Sequence, residues 1–165
     1  MILSEEIKQA ITEEYNAFAK YQYAGKTLEE RRTKDQFYTP PTLTIAMIEK
    51  FDCEDLSDKK ILDPTCGSGN LLAACIIAGA NPKNVYGNEY DGVIVDACRK
   101  RLNSLCDQLG IERVPKKNIH QGNALQKLCL SDFSNNYLRQ YRVDKIDDLK
   151  YAQTSLLVEE LEELW

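Results

Sequence analysis

Apolar and polar positions repeat along this chain with two different periods, and the change from one to the other outlines the fold. Residues 4 to 24 carry Ile7, Ile11, Tyr15, Phe18 and Tyr21 or Tyr23 near helical spacing, which predicts an amphipathic N-terminal helix with a stripe to bury. Residues 25 to 38 are polar and charged behind Gly25 and read as an exposed connection. Thr39, Pro40 and Pro41 then open a second helix running to Phe51, because proline is tolerated in a first turn and threonine is a good N-cap.

From Lys60 the period shortens. Ile61, Leu62 and Asp63 read as a short buried strand, a glycine-containing turn follows, and Leu71 to Ala80 is an apolar helix. Asn84 to Glu89 gives a second strand, Asp91 to Leu109 a long helix, and Lys117 to Gln121 a third strand. Successive strand–helix units call for right-handed crossovers and a parallel sheet with helices on its faces. Beyond Gly122 only short apolar groups remain until Leu149 to Trp165, where Leu149, Ala152, Leu156, Leu157, Leu161 and Leu164 regain helical periodicity and predict a final helix. The expected class is α/β: a partial parallel sheet flanked by helices, with an N-terminal and a C-terminal helix. One domain is expected over residues 1–165, made of a helix and connection (1–38), a core (39–125) and an extension (126–165).

Composition narrows the setting. At 165 residues and 43% hydrophobic the chain can bury one real core. No stretch approaches the roughly 20 apolar residues needed to span a bilayer, and the start MILSEEIKQA is acidic and not signal-like, so a soluble cytoplasmic protein is expected. Cys53, Cys66, Cys75, Cys98, Cys106 and Cys129 form no CxxC pair and only one histidine accompanies them, which argues against a zinc site or a disulfide framework. Cys75, Cys98 and Cys106 fall among apolar helical positions, where a free thiol acts as a small hydrophobe. The net charge is −5, and it resides in the tail, where Asp144, Asp147, Asp148, Glu159, Glu160, Glu162 and Glu163 face only Lys145 and Lys150 after residue 142. A chain that grips a DNA backbone by itself usually shows a basic face. The run Arg99-Lys100-Arg101 reads more simply as the solvated face of a helix than as such a patch.

The most specific chemistry lies in Asp63-Pro64-Thr65-Cys66-Gly67-Ser68-Gly69-Asn70-Leu71, directly after a strand and directly before a helix. Glycines at 67 and 69 let the backbone turn tightly and approach a ligand, and the helix start offers free N–H donors. A phosphate site fits poorly: GxGxxG would need Gly or Ala where Leu72 stands, and the Walker pattern needs GKS or GKT. Asp63 at the strand tip would repel a phosphate and attract an ammonium group. Glu89 closes the second strand about 20 residues later, the position from which an acid accepts both ribose hydroxyls in nucleoside-binding α/β folds. Asp91 is better read as the N-cap of the following helix. At the end of the third strand, Asn123 offers an amide for an adenine edge and Leu125 a surface for its face, while His120 is read as a strand residue without a catalytic role.

Taken together these residues resemble the class I S-adenosylmethionine-dependent methyltransferases, in particular the N6-adenine DNA methyltransferases and the modification subunits of type I restriction systems. The resemblance spans about Arg31 to Leu125. It implies a Rossmann-like methyltransferase fold and S-adenosylmethionine as cofactor. ILDPTCGSGNLL looks like the cofactor motif, carried by Asp63, Thr65, Gly67, Gly69, Asn70 and Leu71; VYGNEYD looks like the ribose motif, carried by Glu89 and Tyr90. QGNAL is similar to the adenine motif, with Asn123 where Asp is common, and KDQFYTPPTL to the N-terminal motif, which assigns Phe37, Tyr38, Thr39 and Pro40 to the methionine end of the cofactor.

The resemblance also defines what is missing. Such enzymes end a fourth strand with Asp/Asn-Pro-Pro-aromatic, which holds the target amine; no such tetrapeptide follows Leu125, and Asn135-Asn136-Tyr137 is the nearest imitation, without either proline. No catalytic residue is therefore assigned. The family's strand order, 3-2-1-4-5-7-6, is visible only through strand 3, which would leave strand 1 at an open edge needing cover from the segment around Tyr141 to Ile146, the C-terminal helix or a partner. Two readings stand side by side: an enzyme subunit completed by a second methyltransferase or specificity chain, or a catalytically silent cofactor binder. Self-association or such a partner is expected, with DNA contacted only weakly or indirectly.

Overall fold

The computed structural model describes residues 1–22, 38–124 and 156–157. Four helices and four short strands occur among them: α1 (Glu5–Gln22), α2 (Pro41–Glu49), β1 (Ile61–Asp63), α3 (Asn70–Ile77), β2 (Val85–Glu89), α4 (Gly92–Leu109), β3 (Ile119–Gln121) and β4 (Leu156–Leu157). The sheet order is β3-β2-β1-β4. β1 and β2 run parallel with Ile61 opposite Val85, and β2 and β3 run parallel with Glu89 opposite Gln121. All three parallel strands thus end at one rim, and the chain forms a partial Rossmann-like methyltransferase fold.

The apolar content of each element explains its place. Ile61, Val85 and Ile119 open the three parallel strands and are at most 1% exposed, so the floor of the sheet is dry. α3 is buried at every position from Asn70 to Ile76, because α1 and α2 pack over it while β1 and β2 lie beneath. A helix covered on all sides must be apolar all round, as its sequence NLLAACII is after the first residue. α4 is amphipathic instead: Val95, Cys98, Leu102, Leu105 and Cys106 face inward. Cys75, Cys98 and Cys106 are buried free thiols, the small-hydrophobe role their helical positions suggest.

Three expectations are corrected. Leu156 and Leu157, placed by periodicity on a C-terminal helix, are extended in β4 and pair antiparallel with β1, Leu157 opposite Ile61 and Leu156 opposite Leu62. The outer edge of β1 carries unpaired N–H and C=O groups, and satisfying them outweighs a local helical pattern. The edge is therefore covered from within the chain. Thr39 does not cap α2: Pro40 occupies the N-cap without a side-chain bond, Pro41 fills the first turn, and Thr44 Oγ1 donates to the Pro40 carbonyl at 3.1 Å. Arg101 is not on a solvated face but 4% exposed, while Arg99 donates to the Ile119 carbonyl at 2.6 Å. Residues 25–37, Tyr23, Leu125, Asn135 to Tyr137, Tyr141 to Ile146 and the remainder of 149–165 lie outside the described residues. No helix among the described residues is long and apolar enough to cross a membrane.

Candidate functional site

The turn between β1 and α3 is shaped by two steric demands. Gly69 is the N-cap of α3 with φ +84, and a Cβ there would stand 2.8 Å from Cys98 Sγ. Gly87 in β2 lies so close beneath the turn that a Cβ would meet Cys66 Sγ and Leu72 Cδ1, both at 2.8 Å. The turn thus sits directly on the sheet, and its own hydrogen bond, Gly69 N–H to the Cys66 carbonyl at 2.8 Å, closes it.

Two carboxylates converge on this turn. Asp63, 8% exposed at the tip of β1, accepts from Thr65 N–H at 3.1 Å. Glu89, at the tip of β2, accepts from Gly67 N–H at 3.1 Å through one oxygen and from Asp91 N–H at 2.9 Å through the other. Each oxygen has a second lone pair, so both backbone bonds leave capacity for further donors. Burial pushes the Asp63 carboxyl up to about 6, with the nearby Glu89 charge adding to the rise and the Thr65 N–H opposing it. Asp91 Oδ1 accepts from Val93 N–H at 2.9 Å, which is the capping role read from the sequence.

Asn88 joins the three strand ends. Its Nδ2 donates to the Pro64 carbonyl at 3.0 Å and the Gly122 carbonyl at 3.1 Å, and its own carbonyl accepts from Cys66 N–H at 2.8 Å. Gly122 N–H in turn donates to the Glu89 carbonyl at 3.0 Å. The three motifs found in sequence are therefore one connected surface. Asn88 is 1% exposed and its Oδ1 is buried with no hydrogen-bond partner among the described residues.

The structure brings together Asp63, Thr65, Gly67, Gly69 and Glu89 at the rim. The Tyr38 ring lies against Gly67, 3.7 Å from where a Cβ would be, and the Thr39 carbonyl accepts from Asn70 Nδ2 at 3.0 Å. Both residues of the N-terminal motif thus reach the turn, whereas Pro40 is exposed at the start of α2. Tyr90 projects from the rim with 74% exposure, and Asn123 is half-buried just past β3. Leu71 differs in kind, because at 3% exposed its side chain belongs to the core and only its backbone is near the turn. Phe37 and Leu125 lie outside the described residues. Sequence reasoning missed Asn88, which looks like an ordinary strand residue before an acid, and it missed Arg101 and Glu14, whose pairing spans 87 positions. Among the described residues a groove of about 880 Å³ runs between α1 and α4, lined by Ala10, Phe18, Ala97 and Leu105, and it meets the turn only at Tyr38 and Ser68.

The donor set has a definite chemical preference. Two carboxylates near one turn make the rim electronegative, and the raised Asp63 carboxyl registers chiefly the cost of burying a charge there, with the nearby Glu89 charge adding a smaller part. A cationic ligand relieves that cost and a phosphate increases it. Ribose hydroxyls and an ammonium or sulfonium group suit these residues, so the rim fits an S-adenosylmethionine-type methyl donor.

Fold and rim define an α/β domain of the methyltransferase class. A family model described as N-6 DNA Methylase matches residues 14–146, which is most of the chain. The chain belongs to that family, whose members transfer methyl groups to DNA and require a donor of the S-adenosylmethionine type. Among curated proteins it is similar to the Type II methyltransferase M.VspI of Vibrio sp. (strain 343), 36% identical over 70 residues, covering 42% of this chain and 17% of that protein. It is also similar to the Ribosomal protein L11 methyltransferase of Shewanella baltica (strain OS195), 40% identical over 75 residues, covering 44% of this chain and 25% of that protein. The matched stretch is thus a quarter or less of each relative's length. No solved structure matches the chain.

Proposed function

We propose that this chain is the S-adenosylmethionine-binding part of a DNA adenine-N6 methyltransferase, and that it transfers no methyl group until a second chain supplies target-base and DNA recognition. The observation that carries the reading is the Glu89 carboxylate bridging the glycine turn beside buried Asp63. When bound, S-adenosylmethionine supplies an electrophilic methyl group on a sulfonium. The chain's own residues do the rest of the binding. Asp63 receives the ammonium, Glu89 the ribose hydroxyls, and Gly67 and Gly69 keep side chains out of the way. Tyr38 and Thr39 close the methionine end, a role the resemblance also gives to Phe37. Asn123 and Leu125 take the adenine.

The case for dependence on a partner rests on the residues past the adenine motif. Residues 126–165 contain no Asp/Asn-Pro-Pro-aromatic tetrapeptide, and their charge is acidic. Extruding a base costs a few kcal/mol, met by a base pocket and phosphate contacts. The partner is a second methyltransferase or specificity chain, or another copy of this one. Because β4 already covers the edge of β1, the need for a partner is catalytic and not a matter of an open sheet.

Calorimetry with S-adenosylmethionine, or with its demethylated product, tests the first half. Micromolar to sub-millimolar binding is expected, and a dissociation constant above about 1 mM overturns it. Labelled S-adenosylmethionine with mixed-sequence DNA tests the second half: no incorporation is expected, and robust methylation by the purified chain overturns it. The same absence of the tetrapeptide supports the other reading, a silent cofactor binder, which methylation on adding a partner would exclude.

A further inference from the structure

A buried cation lies behind the glycine turn, outside the residues assigned to the cofactor. Arg101 of α4 is 4% exposed, and its guanidinium is forked on Glu14 of α1: Nε to Oε1 at 2.7 Å and Nη2 to Oε2 at 2.5 Å. The Phe18 ring stacks below it, 4.2 Å from Cζ to the ring centre. With that side of the fork engaged, Nη1 points at the turn. It donates to the Ser68 carbonyl at 3.3 Å and also to Asn70 Oδ1.

The second contact fixes more than a distance. A guanidinium can only donate, so it holds the oxygen of the Asn70 carboxamide toward itself and leaves Nδ2 facing the Thr39 carbonyl, 3.0 Å away. One chain of hydrogen bonds, charge-assisted as far as Asn70, thus runs Glu14, Arg101, Asn70, Thr39 and touches α1, α4, α3 and the segment entering α2. Ser68 lies between Gly67 and Gly69, where backbone freedom is greatest, and Asn70 is the first residue of α3, so the two contacts hold the turn from within and from its helical end. Lysine could not replace the fork, since it offers one point charge and no planar pair of donors.

We propose that Arg101, set by Glu14, is a positioning residue for the cofactor turn, which makes the N-terminal helix part of the S-adenosylmethionine site. The proposal deepens the cofactor reading and rests on it. Arg101 touches no cofactor atom; it acts through Ser68 and Asn70, and through them on Thr39.

The test uses the whole chain with S-adenosylmethionine as titrant, thermal unfolding for stability, and amide hydrogen exchange at residues 67–70 without ligand. Arg101→Lys is expected to weaken binding by about tenfold or more and to speed exchange at Ser68 and Gly69. Glu14→Asp keeps both charges but draws the carboxylate back, and should weaken binding less. The double variant Glu14→Gln/Arg101→Met removes both charges, so it should unfold near the wild-type temperature yet bind as poorly as Arg101→Lys. A folded double variant that binds like wild type, or a folded Arg101→Lys with unchanged affinity, overturns the proposal and leaves the pair a purely structural bridge. If wild type itself fails to bind, the cofactor reading falls. Exchange then decides the positioning role by itself, and unchanged protection at residues 67–70 in the double variant overturns it.

Discussion

Below the rim of the sheet, Ile61, Val85 and Ile119 on the strands and Leu72 and Leu102 on the covering helices are at most 1% exposed and entirely apolar, while two to four residues further along β1 and β2 Asp63, Asn88 and Glu89 crowd two carboxylates and a carboxamide together. The body gains free energy from every side chain it hides. The rim loses some: Asp63 is held ionised at neutral pH against burial and a like charge, and Asn88 keeps a buried oxygen with no partner among the described residues. Apolar burial is indifferent to any ligand, whereas an electronegative hollow lined by glycine has value only when something cationic fills it. Stability and binding should therefore respond to different substitutions, and mutation can pull the two readouts apart.

The largest effect should come from the body. Leu72, 0% exposed and packed above Gly87, is expected to cost about 3 kcal/mol of stability as Leu72→Ala, read by chemical denaturation. Cofactor affinity of the folded fraction should stay within about twofold of wild type. A large loss of affinity at unchanged stability would erase the distinction between body and rim.

Asp63→Asn should do the reverse and separate the readouts most clearly. The folded-state value of about 6 lies above the ordinary 3.8, so between those pH values the native protein holds a proton that the unfolded chain has released. Ligand-free stability is then highest below about 4 and declines as pH rises through 6, by roughly 3 kcal/mol from this group. The substitution removes the titration while the oxygen of the new carboxamide can keep the Thr65 bond, so melting at pH 8 should shift upward. Binding should meanwhile fall by at least about tenfold, through loss of the charged acceptor. In the wild type, affinity should strengthen as pH rises through 6, since the ammonium needs the ionised form. A pH-independent affinity, or a less stable Asp63→Asn, would show that the carboxylate is not the strained group described here.

Glu89→Gln tests the place where the two regions meet. It should weaken S-adenosylmethionine binding by about 1–3 kcal/mol in calorimetry, because charged ribose acceptors are lost. A smaller stability loss should accompany it, since an amide NH2 would face one of the two backbone donors at Gly67 and Asp91. The smallest effect belongs to Asp91→Asn, within about 0.5 kcal/mol by either measure, because Asn caps a helix about as well as Asp. Equal affinity losses at 89 and 91 would reverse the roles given to the two acids.

Much of this was legible in the chain itself. The period-2 and period-3.6 stretches located β1, α3, β2, α4 and β3 to within a few residues, because burial on a sheet or under a helix imposes those periods directly. The glycine turn and Glu89 were legible for a related reason: a strand-to-helix turn that sits on a sheet admits only glycine at certain positions, and a strand tip needs an acid only for a ligand or a cap. The helix expected over Leu149 to Trp165 shows where periodicity loses. Leu156 and Leu157 satisfy a backbone edge that belongs to residues 61 and 62, and no local pattern records that need. Arg101 shows the same limit from the other side, since a charge in a basic run signals solvent unless a partner 87 positions away is known to meet it. The sequence determined which residues are apolar, where the backbone bends and where charge accumulates, as these depend on neighbours within a turn or two. Only the tertiary structure decided which edge β4 closes, that Asn88 binds three strand ends together, and that Glu14, Asn70 and Arg101 meet, because the free energy of a buried polar group depends on partners brought together across the fold.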